Sequence, residues 1–306
     1  MSLFRGLSAF PLTPTDAAGH VQIESLGRIL GRIEAAGADS VGLLGSTGAY
    51  AYLTRLERRR AVEAAVDCLR GRTPLIVGVG ALRTDEAVTL AGDAEKAGAD
   101  GLLLAPMSYQ PLTENEVYRL VLDVAQASGL PLCIYNNPGT TRFTFSPSLI
   151  ADLAQMPGVV AVKMPLPADR DFAGEIAHLR SLVPPDFLIG HSGDWGAVDA
   201  LLAGSDAWFS VVAGLLPEPA LRLTRAAQAG DTEEARRIDV ALAPLWSLFR
   251  QFGSFRVVYV LAEALGLGTF APPRPLLLPG PDIRARIDET LDSIAALPPS
   301  LAAAGP

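Results

Sequence analysis

The chain has 306 residues, of which 49% are hydrophobic and 19% charged, and its formal net charge is −8 at pH 7. This length and apolar content allow a large buried core, either in one barrel domain or in two smaller domains. Because the Lys and Arg residues are scattered and outnumbered by acids, the composition argues against a nucleic-acid or anionic-membrane partner.

Short apolar runs alternate along the chain with amphipathic segments of helical length. Eight runs predict β-strands, at residues 7–10, 39–45, 74–79, 100–105, 131–135, 159–164, 186–190 and 207–212. The segments between and after them predict helices near 24–36, 54–70, 84–97, 114–128, 146–156, 169–182, 194–203 and 217–229. Continuous apolar strands, each followed by a helix, indicate an α/β fold with a parallel sheet covered by helices. Eight such units predict a closed (β/α)8 TIM barrel.

The strand pattern stops near residue 229. Three further helices are predicted at 231–252, 256–267 and 282–297, and a proline-rich segment separates the last two. We therefore predict a (β/α)8 barrel at 1–229 and a C-terminal helical region at 230–306.

The cysteines and the N-terminus indicate the compartment. Cys68 and Cys133 are far apart and match no metal or redox spacing, and two free thiols are typical of a reducing cytoplasm. The first residues lack the basic and then apolar pattern of a secretory signal. No run approaches the ~20 apolar residues of a membrane span. The sequence therefore predicts a cytoplasmic protein.

Lys163 stands near the end of the predicted strand "VVAVKM" (159–164). Buried lysines are rare because the ammonium loses its hydration. In one interpretation the stem is buried and the amine reaches water or an acid. In the other, burial lowers the pKa and frees the amine to attack a ketone and form a Schiff base. Position alone leaves both open.

Polar side chains follow two other predicted strands. Tyr135 ends the strand before that of Lys163, and because parallel neighbours lie ~4.8 Å apart, its phenol can approach the amine and relay protons. The alternative is a core tyrosine hydrogen-bonded to a backbone carbonyl.

In "GSTGA" (45–49), Ser46 and Thr47 can donate to a carboxylate together with backbone N–H groups. The alternative there is an ordinary turn.

Metal and nucleotide chemistry find little support. The three histidines are dispersed along the chain. His191 and Asp194 could share a site, but two side chains are too few to hold a metal ion securely, so a polar loop role for His191 is favoured. The glycines at 78–82 are too short a pattern for a dinucleotide fingerprint. We therefore expect neither a metal nor an organic cofactor.

Several segments in fixed order carry a family resemblance. They include "FRGLSAFPLTPTD", "GSTGAYAYLTRLERRR", "LPLCIYNNP", "GVVAVK" and "SGDWGAVDALLAGSDAWFSV". The chain resembles, over nearly its whole length, the dihydrodipicolinate synthase / N-acetylneuraminate lyase family of class I, Schiff-base-forming aldolases. The resemblance implies a (β/α)8 barrel with a C-terminal helical region, usually assembled as a tetramer of two tight dimers.

The resemblance assigns roles to individual residues. Lys163 matches the Schiff-base lysine, and Tyr135 matches the tyrosine of the family's "YN-x-P" motif. Ser46 and Thr47 match its hydroxyl pair. The backbone at Thr47 would bind the pyruvate carboxylate, and the Thr47 hydroxyl would join the proton relay to Tyr135. Two further positions match residues that line the family's pocket: Gly193 and Phe209.

Other positions depart from the family pattern. The glutamate that follows the hydroxyl pair is Ala49 here. The arginine that holds the second substrate's carboxylate in the synthase is replaced by Thr140, with Arg142 two residues further on. The partner-subunit tyrosine of the relay aligns with Ser108, and Tyr109, one residue along, is its candidate substitute.

The resemblance implies a lyase, a Schiff-base aldolase acting on pyruvate or a related 2-keto acid and an aldehyde, in a homo-oligomer. Threonine cannot reproduce a bidentate arginine–carboxylate pair, so we expect a second substrate other than aspartate semialdehyde. Three alternatives stay open. They are 4-hydroxy-tetrahydrodipicolinate (dihydrodipicolinate) synthase proper, a non-catalytic keto-acid-binding protein on the same fold, and a metal-dependent barrel aldolase using Asp194 and His191.

Overall fold

Eight short parallel strands close into a barrel in the computed structural model of the chain, which describes residues 3–280 and 282–298. The strands are β1 (Gly6–Ala9), β2 (Ser40–Leu43), β3 (Leu75–Gly78), β4 (Gly101–Leu104), β5 (Leu132–Tyr135), β6 (Val159–Met164), β7 (Leu188–His191) and β8 (Ala207–Ser210). They pair in chain order, and β1 pairs with β8 to close the ring. The predicted (β/α)8 barrel is confirmed, with all eight predicted strands present.

Helices follow the strands along the chain, and all but the short α5 (Pro138–Thr141), which lies at the mouth of the barrel, cover its outside. They are α1 (Ile23–Ala36), α2 (Arg55–Leu69), α3 (Thr84–Ala97), α4 (Glu114–Gln126), α5 (Pro138–Thr141), α6 (Pro147–Ala154), α7 (Phe172–Arg180), α8 (Ala197–Leu202) and α9 (Pro217–Gln228). The four-residue α5 was not predicted from the sequence. Helix α7 begins three residues later than predicted because the Asp171 side chain caps it, accepting a hydrogen bond from the Gly174 N–H.

Three more helices follow the barrel: α10 (Thr232–Phe252), α11 (Ser254–Ala264) and α12 (Ile283–Ala295). Helix α10 packs against α8, α9 and α12, so its apolar residues join the outer core of the barrel. No helix in the described part of the chain is both long and apolar enough to cross a membrane. The domain division after residue 229 stays a prediction, and residue 281 and residues 299–306 of the predicted helical region lie outside the described residues.

Alternation along the strands decides which side chains reach the barrel interior. Cys133 and Tyr135 of β5 and Phe209 of β8 belong to the inner apolar cluster. In β6, Ala161 faces inward, and Lys163, two residues further along the strand, faces the same way. Val162 between them faces outward and joins the outer core under the helices. The same register pairs Tyr135 with Lys163 across β5 and β6.

Glycines make room where aromatic rings and loops approach the strands. A Cβ at Gly42 would lie 2.2 Å from the Phe10 ring, and one at Gly190 would lie 2.5 Å from the Phe209 ring. At Gly78 the obstacle is backbone, since a Cβ there would lie 1.9 Å from the Leu44 carbonyl oxygen. Backbone cannot rotate aside, so Gly78 is the least replaceable of the three.

We expect the Gly78→Ala substitution to lower the free energy of unfolding by more than about 2 kcal/mol, because the loop after β2 would have to shift. The matched control is Gly31→Ala in α1, where a Cβ meets nothing within 4 Å. That change should raise stability by about 0.5–1 kcal/mol. Urea denaturation followed by circular dichroism measures both, and equal stability of the two variants would contradict this assignment.

Candidate active site

A cavity of about 740 Å³ opens at the carboxyl ends of the strands. Its floor contains Phe10, Tyr135, Lys163 and Phe209, which come from the ends of β1, β5, β6 and β8 or from the residue directly after them. This is the end of a (β/α)8 barrel at which reactive groups meet. The volume lies within the range of sites that hold small organic ligands.

The Lys163 amine is enclosed by three aromatic rings. Its Nζ lies 3.8 Å from the Phe10 ring centroid, 4.2 Å from that of Tyr135 and 5.4 Å from that of Phe209. The residue is only 4% exposed. Within residues 3–280 and 282–298, no carboxylate lies within 4.0 Å of the amine, so no direct ion pair holds the charged form.

This burial sets the protonation of the amine. Loss of hydration disfavours the ammonium and lowers the pKa of Lys163 to about 7, against the opposing influence of Cys133 and Asp194. The ring faces attract a cation, but they do not replace the lost water. A large fraction of the amine is therefore neutral, and nucleophilic, near neutral pH.

Tyr135 lies beside Lys163 and carries its own polar neighbours. Burial raises the pKa of Tyr135 to about 12, and the neighbouring hydroxyls of Ser46 and Ser192 oppose that rise. Asn137 Nδ2 donates to Ser46 Oγ at 3.3 Å, which links the two strand ends. Tyr135 thus keeps its proton at neutral pH and contacts hydroxyls that can exchange it.

The turn after β2 brings Ser46 and Thr47 to the cavity wall. Leu44 and Ala49 on its two sides adopt positive φ values of 56°, so the chain doubles back between them. Gly48 keeps this turn tight, because a Cβ there would lie 3.0 Å from the Leu44 backbone, closer than an ordinary contact. The tight turn presents hydroxyl and backbone donors in one small area.

Asp194 is a buried carboxylate in the same cavity. Trp208 Nε1 donates to Oδ1 at 2.9 Å, and the Val211 and Val212 N–H groups donate at 3.2 and 2.8 Å. Burial still raises the pKa of Asp194 to about 6. Its bonds join the loop after β7 to the loop after β8, and its charge favours the ammonium of Lys163.

The structure brings most of the sequence-predicted site residues together. Six of them, with Lys163, line the one cavity: Ser46, Thr47, Tyr135, Thr140, Gly193 and Phe209. Tyr109 is 87% exposed and does not line the cavity of its own chain. Arg142 ends α5 with a φ of 56°, is exposed, and also lies outside the lining.

His191 lies on the opposite side of the sheet from the cavity. It alternates with the inward Gly190, so its ring packs beneath α7 against Phe172. Its two nitrogens hydrogen-bond to Ser205 and Glu175, both at 2.9 Å. Among the described residues, no three His, Cys, Asp or Glu side chains form a group able to hold a metal ion.

Sequence reasoning missed several parts of the wall. Phe10 ends the first predicted strand, and that position was the signal for its place over the amine. Ser192 stood unassigned in "GHSGDW". Gly253, Phe255 and Arg256, from the junction of α10 and α11, also line the cavity, and no local pattern in the sequence predicts that approach.

Comparisons with known proteins agree with this fold. A family model described as "Dihydrodipicolinate synthetase family" matches residues 3–293. A 4-hydroxy-tetrahydrodipicolinate synthase from Stutzerimonas stutzeri is 32% identical over 82% of this chain and 85% of its own. The crystal structure of a dihydrodipicolinate synthase from Agrobacterium tumefaciens superposes with a TM-score of 0.94 at 60% identity, covering 95% and 98% of the two chains. A putative dihydrodipicolinate synthetase from Pseudomonas aeruginosa gives 0.88 at 29%, covering 95% and 99%.

Because the pKa of Lys163 is lowered, we expect this residue to reduce the free energy of unfolding by an amount that depends on pH. An unfolded lysine keeps its proton up to about pH 10.4. Between about pH 7 and that value the unfolded state therefore binds more protons, and wild-type stability rises with pH. Lys163→Met removes the buried amine. It should raise the urea midpoint most at about pH 7, and the gain should shrink toward about pH 10.

Lys96→Met is the matched control, since Lys96 is an exposed residue of α3 and the only other lysine in the chain. It should leave the midpoint unchanged at both pH values. A Lys163→Met gain that is absent, or that grows with pH, would contradict a lysine destabilised by burial of its charge.

Proposed function

The chain belongs to the dihydrodipicolinate synthetase family, whose members are lyases of the class I aldolase type, and we propose that Lys163 is its Schiff-base residue. The observation that carries the proposal is the buried amine enclosed by three aromatic rings at the mouth of the barrel, where loss of hydration lowers its pKa. Its substrate is pyruvate or a related 2-keto acid, and the reaction makes or breaks a carbon–carbon bond beside the imine.

The first half of the reaction forms the imine. The Lys163 amine adds to the keto carbon, and the resulting carbinolamine loses water as a protonated imine forms. Tyr135, with a pKa of about 12, donates a proton to the departing oxygen and recovers one through the hydroxyls around it. The turn at Ser46 and Thr47 binds the substrate carboxylate through backbone and hydroxyl donors, which orients the keto group.

The second half uses the imine as an electron sink. Loss of a proton from C3, or cleavage of the bond between C3 and its substituent, leaves an enamine on Lys163. The enamine adds to an aldehyde in the synthetic direction. In the cleavage direction it is protonated and hydrolysed to pyruvate. Lys163, Tyr135 and Thr47 supply the groups that these steps require, and the scheme uses no metal or organic cofactor.

The aldehyde half of the site differs from the synthase pattern. Thr140 stands where the resemblance places an arginine, and its hydroxyl donates to the Asn137 carbonyl at 3.3 Å. Neither Thr140 nor the exposed Arg142 offers a guanidinium at that wall. We therefore propose an aldehyde other than aspartate semialdehyde. The names of the relatives favour 4-hydroxy-tetrahydrodipicolinate synthase proper as the second candidate.

Assembly and compartment are part of the proposal. Exposed apolar side chains follow β2, β3 and β4, among them Leu56, Leu82 and Tyr109. We propose that they meet a second copy in a homodimer or homotetramer, in which Tyr109 reaches the partner's site. Cys68 and Cys133 are both free thiols, which supports a reducing cytoplasm.

Borohydride trapping tests the Schiff base. Because the chain has only two lysines, an adduct formed with pyruvate and then reduced can lie only on Lys163, Lys96 or the terminal amine. We expect one adduct per chain, on Lys163, in the wild type and in Lys96→Met, and none in Lys163→Met. Peptide mapping by mass spectrometry locates it.

No adduct with pyruvate or longer 2-keto acids would overturn the proposal that Lys163 is a Schiff-base residue. Adducts without any cleavage or addition across an aldehyde panel would favour a keto-acid-binding protein. Within that panel, the largest kcat/KM with aspartate semialdehyde would show the synthase activity and contradict the proposed difference in the second substrate.

A further inference from the structure

A guanidinium at the cavity wall lacks an acidic partner. Arg256 lies in the first turn of α11, and its Nη1 lies close to Gly253 at the α10–α11 junction. The same atom donates to the Phe252 carbonyl at 3.5 Å. Across residues 3–280 and 282–298, no carboxylate lies within 4.0 Å of this guanidinium. Arginine has five N–H donors, so most of them are available to a ligand.

The other guanidinium of the wall, in contrast, has an acidic partner. Arg170 donates to Asp199 at 2.6 Å, and Asp199 also accepts from Arg236. Asp194 accepts three hydrogen bonds from protein donors. Arg256 is thus the guanidinium of the described cavity wall that has no acidic partner, and its charge is available to an anionic ligand.

The part of the cavity wall formed by the first residues after β6 is apolar. Pro165, Leu166 and Pro167 line the cavity there, and none has a side chain that can donate or accept a hydrogen bond. A polyhydroxylated substrate chain would lose its water there without finding partners. The cavity of about 740 Å³ is also far larger than three-carbon pyruvate requires.

We propose, resting on the Schiff-base function above, that Arg256 binds a carboxylate on the second substrate. The complete substrate held on Lys163 is then a 2-keto dicarboxylic acid whose connecting chain carries the C4 hydroxyl that aldol addition creates and no further hydroxyl groups near the loop after β6. Arginine suits this task because its planar fork pairs bidentately with carboxylate. It supplies from α11 the recognition that Thr140 cannot supply from α5.

Imine formation with matched keto acids tests this. The probes are 2-oxoglutarate, 2-oxoadipate and 2-oxopimelate, each paired with the 2-keto acid of equal length that lacks the terminal carboxylate. Borohydride trapping over a concentration series gives the half-saturating concentration of each. At the best length, the wild type should prefer the dicarboxylate by about 10- to 100-fold. In Arg256→Gln that preference should fall to about threefold or less, while pyruvate trapping stays unchanged.

Arg142→Gln is the matched control and should keep the wild-type preference. Unchanged preference in Arg256→Gln, no preference in the wild type, or loss of preference in Arg142→Gln would each overturn the assignment of Arg256. These outcomes are distinct from failure of the proposed function, since that failure appears as the absence of any pyruvate adduct on Lys163. Arg256→Lys should restore part of the preference, because it returns the charge without the fork.

Discussion

The burial of one amine among three aromatic rings is the constraint on which this site depends. Phe10, Tyr135 and Phe209 exclude water from Lys163 and so lower its pKa to about 7. Among the described residues no carboxylate lies within 4.0 Å of the ammonium, and Asp194 in the same cavity accepts its three hydrogen bonds from other donors. The fold therefore holds a lysine in an environment that lowers the free energy of unfolding. Buried ionisable groups that cost stability in this way are expected at functional sites.

Barrel geometry makes that environment possible. The register places Tyr135 opposite Lys163, and strand alternation turns both inward while it turns His191 outward. Gly42 and Gly190 leave space for the rings of Phe10 and Phe209. The strand core thus determines the chemistry of the floor, and the loops determine what is held above it.

The floor was largely predictable from the sequence, and the outer wall was not. Each β-strand is a short apolar run, so the end of the run marks the residue that reaches the cavity. Tyr135 and Lys163 were found in that way. Arg256 approaches through the packing of α10 and α11 on the barrel, and this tertiary contact has no local signal. Tyr109 and Arg142 show the converse, because nearness in sequence to a strand end does not bring them to the cavity of their own chain.

Burial leaves a substantial fraction of the Lys163 amine neutral near physiological pH. Carbon-13 lysine labelling tests it directly, because the chain gives only two lysine Cε signals, and Lys96→Met identifies which belongs to Lys163. We expect the Lys163 signal to titrate with a midpoint near the pKa of about 7. A midpoint near the ~10.4 of a lysine in water would show a hydrated or paired ammonium and would rule out a nucleophile freed by burial.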